Sequence, residues 1–280
     1  MPPLTIDTHV HFWRIAQYAS GWMQGPFAPL KRDALPERLA PQMRAAGVGK
    51  ALFVQAQHDP ADNDWVLQLA ERHEWIAGVV GWVDLTADDV EAQILALKGR
   101  RRFCGIRHIT HDEPDRDWIL RDDVQRGLAV LERHAVPFDL LFFVEHLPHA
   151  ATLARRFPSL TFVLDHLAKP RIKAKAIDDW RPAFREAARH PNVFCKLSGM
   201  VTEADWRGWT IDDLRPYVDS ALEAFGPTRL MFGSDWPVCE LAAPYARVVE
   251  TLRELIARLG TAEQAAILHG TATRCYRLAT

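Results

Sequence analysis

The chain has 280 residues, 48% of them apolar, and 34 Lys plus Arg stand against 36 Asp plus Glu for a formal net charge of −2. That length and apolar share are ample for a buried core, and the near-balance of charge gives no reason to expect nucleic acid or a membrane surface as partner. No apolar run approaches membrane-spanning length, and MPPLTID has neither a basic n-region nor an apolar h-region, so a cytoplasmic location is expected. Cys104, Cys195, Cys239 and Cys275 lie far apart without a CxxC pair and read as buried free thiols rather than a disulfide framework.

In chain order, Leu4 to Trp13 (LTIDTHVHFW) is the first strand, with two histidines at i, i+2. Side chains of a strand alternate between faces. His9 and His11 therefore share a face with Asp7, while Ile6, Thr8, Val10 and Phe12 take the other. Arg14 to Pro36 is too irregular for a helix and too apolar for a linker, which marks a functional loop such as a lid. Glu37 to Ala46 reads as a helix closed by Gly47 and Gly49.

An alternation then sets in. Ala51 to Gln55 is a strand, and Asp64 to His73 a helix with Asn63 as its cap. Strand Ile76 to Val83 precedes helix Asp88 to Leu97, and strand Phe103 to Ile109 precedes helix Asp123 to His134. Strand Phe138 to Val144 is followed by helix Pro148 to Phe157, then strand Leu160 to His166 by helix Trp180 to Arg189. Strand Val193 to Leu197 leads to helix Leu214 to Phe225, and strand Arg229 to Ser234 to helices Tyr245 to Leu259 and Thr261 to Leu268. Eight strands alternating with helices over about 250 residues give the rhythm of a (β/α)₈ barrel, read as one domain over residues 1–280. The competing doubly wound sheet wants a Gly-rich phosphate turn after the first strand, and HVHFWR is not one.

Barrel chemistry sits at the C-terminal ends of strands, and those ends are rich in ionisable groups: His9 and His11, Arg107 and His108, Glu145 and His146, Asp165 and His166, Lys196 and Ser198, then Gly233-Ser234-Asp235-Trp236. Closure of a barrel pairs the last strand with the first, which brings Asp235 to His9 and His11 as an acid–base or metal set. Asp165 has the opposite parity to His166 and is expected to point outward. Glu145 and His146 stay open between site and structure, as do Lys196 and Arg107. The basic run Lys169 to Lys175 reads as a solvated loop. Trp13 with Trp22, and Trp206 with Trp209, sit in the long segments after the first and seventh strands, where they either pack the core or wall a pocket.

HVH, VLDHLAKP, CKLSG and MFGSDWP, in this order and spacing, resemble the amidohydrolase superfamily. More narrowly they are similar to its branch of sugar-lactone and related lactone hydrolases, the L-fuconolactonase-like members in particular. The resemblance covers the chain from Ile6 through the TATRCYRL tail. It implies a distorted (β/α)₈ barrel of amidohydrolase type that opens a small-molecule sugar lactone, with L-fuconolactone as the first guess. It implies catalytic roles for Asp235, His9, His11 and His166, Asp235 as general base and the three imidazoles as donors to the oxyanion. From their places at strand ends and in the loop after the first strand, Arg107, Lys196, Trp22 and Trp236 are expected at the substrate. Metal-dependent relatives add another His on the strand after His166, and here that strand offers Lys196. The implied enzyme therefore requires no cofactor, while His9, His11, His166 and Asp235 remain able to hold a non-essential zinc. Other readings of the same residues are a zinc-dependent hydrolase of amides or esters, a metal-dependent decarboxylase, and a sugar-binding barrel without chemistry.

Overall fold

The computed structural model describes residues 4–279. Among these, eight parallel strands pair in sequence order: β1 Ile6–Val10, β2 Lys50–Val54, β3 Ile76–Gly81, β4 Phe103–His108, β5 Phe138–Leu140, β6 Phe162–Leu164, β7 Val193–Leu197 and β8 Leu230–Phe232. The helices are α1 Pro36–Ala45, α2 Pro60–Arg72, α3 Val90–Lys98, α4 Asp122–Arg133, α5 Leu147–Arg156, α6 Arg181–Ala188, α7 Met200–Glu203, α8 Ile211–Phe225 and α9 Tyr245–Ile256. The chain ends in α10 Thr261–Ala265, a π-helical turn and α11 Thr271–Cys275. The expected (β/α)₈ alternation is present, with strands shorter at their C-terminal ends than their apolar runs suggested.

Those short strands position the site. The residues just past a strand are released from the ladder, and their side chains turn over the barrel mouth. Closure is an example, because β8 itself does not pair with β1. The two are joined by the residues after β8: Asp235 N donates to His9 O at 2.9 Å, and His11 N donates to Trp236 O at 2.7 Å. Thr8 Oγ1 adds a bond of 2.6 Å to Phe232 O.

The barrel has two apolar layers. Ile6, Leu52, Val54, Val80, Val163 and Met231 fill the inside together with Ala272, Cys275 and Tyr276 of the C-terminal region. The outer faces of the strands pack against the helices. This corrects the parity expected for β1. The register shifts between Asp7 and Val10, so Ile6 belongs to the inner layer while Val10 and Phe12 belong to the outer one. Asp7 is turned away from His9 and His11, its carboxylate accepting from Ser234 N at 2.8 Å and from Tyr245 Oη on α9 at 3.1 Å. A bulge inserts one residue and flips everything beyond it.

The cap of α2 is also displaced from its expected residue. Asp59 caps the helix by accepting from Ala61 N, with Pro60 in the first turn. Asn63 instead binds both backbone groups of Trp82 across the top of β3. The four cysteines are free, as expected. No helix among the described residues is long and apolar enough to cross a membrane.

Candidate active site

Four side chains from β1, the end of β6 and the end of β8 meet at the mouth. Asp235 Oδ1 lies 3.4 Å from His11 Nε2 and 3.9 Å from both His9 Nε2 and His166 Nε2. All four residues are buried. The convergence follows from closure for His9, His11 and Asp235. His166 arrives by a different device. β6 stops at Leu164, and His166 through Lys169 all adopt left-handed backbone, a costly conformation for non-glycine residues that is found at functional sites.

That turn overrides the alternation and corrects the placement of Asp165. Instead of pointing outward, Asp165 is fully buried and faces inward, with its carboxylate 2.9 Å from Lys196 Nζ, 3.3 Å from His9 Nδ1 and 3.3 Å from Arg107 Nη1. Two glycines give the imidazoles room. A Cβ on Gly199 would stand 2.6 Å from His166 Nδ1, and one on Gly233 2.8 Å from His9 Cβ. The glycines of CKLSG and MFGSD are thus clearances for the two rings.

Hydrogen bonds behind the rings fix which nitrogen carries a proton. His11 Nδ1 donates to Val54 O at 2.8 Å, because a carbonyl only accepts. Cations meet both nitrogens of His9, Arg107 Nη1 at 3.3 Å from Nε2 and Lys196 Nζ at 3.3 Å from Nδ1. Because only Nδ1 also has a carboxylate beside it, Asp165 Oδ1 at 3.3 Å, the ring proton is assigned to Nδ1. His9 and His11 in these tautomers turn lone pairs toward Asp235, which narrows the donor role expected of all three imidazoles. His166 differs: its Nδ1 is 2.8 Å from Ser198 Oγ, a hydroxyl that can donate and leave the proton on Nε2.

Electrostatics agree with this picture. Burial holds His9 well below the ordinary imidazole range, against the pull of Asp165. Burial brings His166 down to about 4, opposed by Asp235 and Asp165. For Asp235, burial pushes upward, and His166, His11 and His9 outweigh it, so the carboxyl lies below its usual range. At neutral pH the site holds an ionised Asp235 carboxylate with His9 and His166 neutral beside it.

Lone pairs of His9 and His11 gathered with an Asp235 carboxylate oxygen form a donor set that fits a divalent cation. The cation Arg107 stands against one of those lone pairs, so the set is partly satisfied without a metal. A grouping that does not include His9, made of His58, His108 and Glu113, does not fit one. Trp82 Nε1 donates to His108 Nδ1 at 3.1 Å, His108 Nε2 is bonded to Glu113 at 2.6 Å, and Ile109 N donates to His58 Nε2 at 3.1 Å. Every ring nitrogen there is occupied or protonated, His58 Nδ1 included, since its Nε2 is the acceptor.

The remaining expected site residues divide. Arg107 is at the site, locked by Gln55, whose side chain accepts from Nε at 3.0 Å and whose backbone carbonyl accepts from Nη2. Lys196 is fully buried beneath the imidazoles between Asp139 and Asp165, which leaves no face for a substrate. Trp236 is corrected likewise. Its ring is fully buried against Phe12 and Arg38, and its Nε1 donates to Glu240 at 2.8 Å. Trp22 is 43% exposed and stands edge-on to Phe27, which in turn meets Trp206 at 5.4 Å. Trp13 and Trp209 are core residues whose indoles donate to Arg32 O and Ala242 O. His146 accepts from Phe143 N, and Glu145 pairs with Arg171, both outside the constellation. Most of the basic run is surface ion pairs, although Lys169 is more sheltered and reaches Glu203 at 2.9 Å. Asp139 gave no signal in the sequence, Gln55 read only as the end of a strand, and Tyr276 only as part of the TATRCYRL tail.

A barrel whose strand ends converge in this way is an amidohydrolase architecture, and the amidohydrolase family model matches residues 6–278. The chain belongs to that family. It is 42% identical to L-fucono-1,5-lactonase of Burkholderia multivorans, over 99% of this chain and 97% of the relative. It is 38% identical to L-fucono-1,5-lactonase of Burkholderia ambifaria, over 98% and 95%. A crystal structure of an amidohydrolase from Burkholderia multivorans with bound zinc superimposes with a TM-score of 0.92 at 42% identity, covering 99% of this chain and all of that one.

Proposed function

We propose that this protein is a sugar lactonase that opens an aldonolactone, L-fucono-1,5-lactone first, to the aldonic acid. The observation that carries the reading is Asp235 Oδ1 held 3.4–3.9 Å from three imidazole nitrogens beside Arg107. The two L-fucono-1,5-lactonases at 42% and 38% identity support the substrate class.

Asp235 takes a proton from water, and the oxygen of that water adds to the lactone carbonyl. The oxyanion that forms faces the donor the tautomers leave available, His166 Nε2–H, with the buried Arg107 guanidinium behind His9 as the nearby positive charge. Collapse breaks the bond between the acyl carbon and the ring oxygen, and Asp235 returns the proton to that oxygen. A lactone is an activated ester, so a positioned base and donors suffice for its opening. His9, His11 and Asp235 are the residues that would hold a divalent cation, which when bound polarises a carbonyl and acidifies water.

General-base catalysis contributes on the order of 10²–10⁴-fold. Asp235→Asn is therefore expected to lower kcat by that order, with its melting temperature little changed. A near wild-type rate would remove Asp235 from this role. The test of the whole reading is a pH-indicator hydrolysis screen over aldonolactones and dicarboxylated lactones, with and without chelator. Turnover of neutral aldonolactones that survives chelation supports it, and a strong preference for dicarboxylated lactones overturns the substrate class. Activity lost to chelator and restored by zinc favours the metal-dependent reading, for which the inward lone pairs of His9 and His11 are the supporting observation.

A further inference from the structure

Below the imidazoles the barrel interior holds a second polar layer. Arg107, Asp139, Asp165 and Lys196 are all buried, two cations against two anions. Lys196 Nζ lies 2.5 Å from Asp139 Oδ2 and 2.9 Å from Asp165 Oδ1, and Arg107 Nη1 lies 3.3 Å from Asp165 Oδ2. From the foot of the barrel the Tyr276 hydroxyl reaches both oxygens of Asp139, at 2.8 and 2.9 Å. An apolar filling of the same volume is often as stable as a buried ionic set, so packing alone does not account for this one.

Its upper end accounts for it. Both nitrogens of His9 meet this layer: Nδ1 is 3.3 Å from Asp165 Oδ1, and Nε2 is 3.3 Å from Arg107 Nη1. Lys196 Nζ also lies 3.3 Å from Nδ1, with a third hydrogen it can turn there, but it stands closer to the two carboxylates, at 2.5 and 2.9 Å. The guanidinium demands a lone pair on Nε2, and Asp165 accepts the proton that remains on Nδ1. The opposite tautomer would set N–H against N–H at Arg107 and would aim a donor at Asp235 Oδ1.

We propose that Asp165 is a positioning residue for the lactonase reaction, holding His9 in its Nδ1–H tautomer so that no N–H from His9 ties up the base Asp235. Lys196, Asp139 and Tyr276 hold Asp165 in place from beneath, which gives the C-terminal segment a part in the site. The inference rests on the lactonase reading for its consequence, but not for its observation. The tautomer can be measured without substrate.

The test uses the full chain labelled with ¹⁵N-histidine, treated with chelator so that no metal occupies a ring lone pair. Long-range ¹H–¹⁵N spectra then report which nitrogen of each ring is protonated, and His9→Gln assigns the resonance. The wild type is expected to show His9 protonated at Nδ1. Asp165→Asn, whose amide can donate to Nδ1, is expected to move the proton to Nε2 and to lower kcat with KM little changed. The same kind of tautomer error costs a Ser-His-Asp triad about 10⁴-fold, and a loss on the order of 10²-fold is expected here. A wild-type His9 protonated at Nε2 overturns the proposal whether or not the variant folds. So does an Asp165→Asn enzyme that keeps both tautomer and kcat. If no lactone is turned over, the wild-type spectrum still decides the tautomer.

Discussion

Replacing one hydrogen of Gly199 by a methyl group puts carbon 2.6 Å from His166 Nδ1, where only backbone and ring now meet. The ring must move, and its hydrogen bond to Ser198 with it. Gly199 also has a φ of +64°, which an alanine adopts at a cost. A displacement near 1 Å in a catalytic group costs on the order of 10²-fold in rate. Gly199→Ala is therefore expected to lose that order in kcat for lactone opening, and a rate within a factor of two of wild type would show that His166 tolerates displacement. The same scale shows why some residues were legible and others not. His9, His11, His166 and Asp235 stand in motifs that can be recognised from residue order and spacing without knowing the strand register. Asp165 was misplaced because alternation was carried one residue past the end of β6, into a left-handed turn. Trp236 and Lys196 were misplaced because a strand-end position says nothing about whether a side chain looks up into the mouth or is sealed below it.

At the scale of elements, the start of α2 carries a buried acid that makes stability depend on pH. Asp62 is buried beside Gln57, which reaches it only at 3.5 Å, and it borders a cavity of about 380 Å³ walled by Trp13, Tyr18 and Trp65. Burial raises its carboxyl to about 7, with Gln57 pulling the other way. Because the folded value lies above the unfolded one, the native state binds the extra proton between about pH 4 and 7. The contribution of Asp62 is whole below that window and is lost as pH rises through it. An asparagine side chain in its place cannot ionise. The stability of Asp62→Asn relative to wild type is expected to improve from pH 4 to pH 8, by an amount on the order of a few kcal/mol. Chemical denaturation at the two pH values measures it, and a constant difference would show that water or a neighbour solvates the carboxylate. Element types and order were legible from hydrophobic runs. The caps and ends were not, because the competition between Asp59 and Asn63 for the α2 terminus is settled by the backbone of Trp82, which is distant in sequence.

On the scale of the whole molecule, the long segment after β1 touches the residues that follow β2 and β7, through Tyr18 Oη on Ala56 O at 2.7 Å and Phe27 against Trp206. Its base is clasped by Trp13 and Ala34, which exchange backbone bonds of 2.9 and 3.0 Å. Its three short turns, Ile15–Gln17, Ser20–Trp22 and Gly25–Leu30, were readable only as irregular chain, since prolines and glycines mark where helices fail without saying what replaces them. Near its tip Phe27 meets Trp22 at 5.8 Å and Trp206 at 5.4 Å, both edge-on, so residues far apart in sequence form one aromatic row. Each such contact is worth about 0.5–1.5 kcal/mol. Phe27 is 36% exposed, so its removal costs the fold little. If the row stacks on the sugar ring, as the exposure of Trp22 suggests, Phe27→Ala leaves kcat near wild type. It raises KM by roughly the 3–10-fold that about 1 kcal/mol of lost positioning represents. Trp22→Ala is expected to follow the same pattern. Steady-state kinetics on the lactone found in the screen separates the outcomes. A fall in kcat at constant KM would place the row at a motion of the segment, and no change in either would reduce it to surface packing.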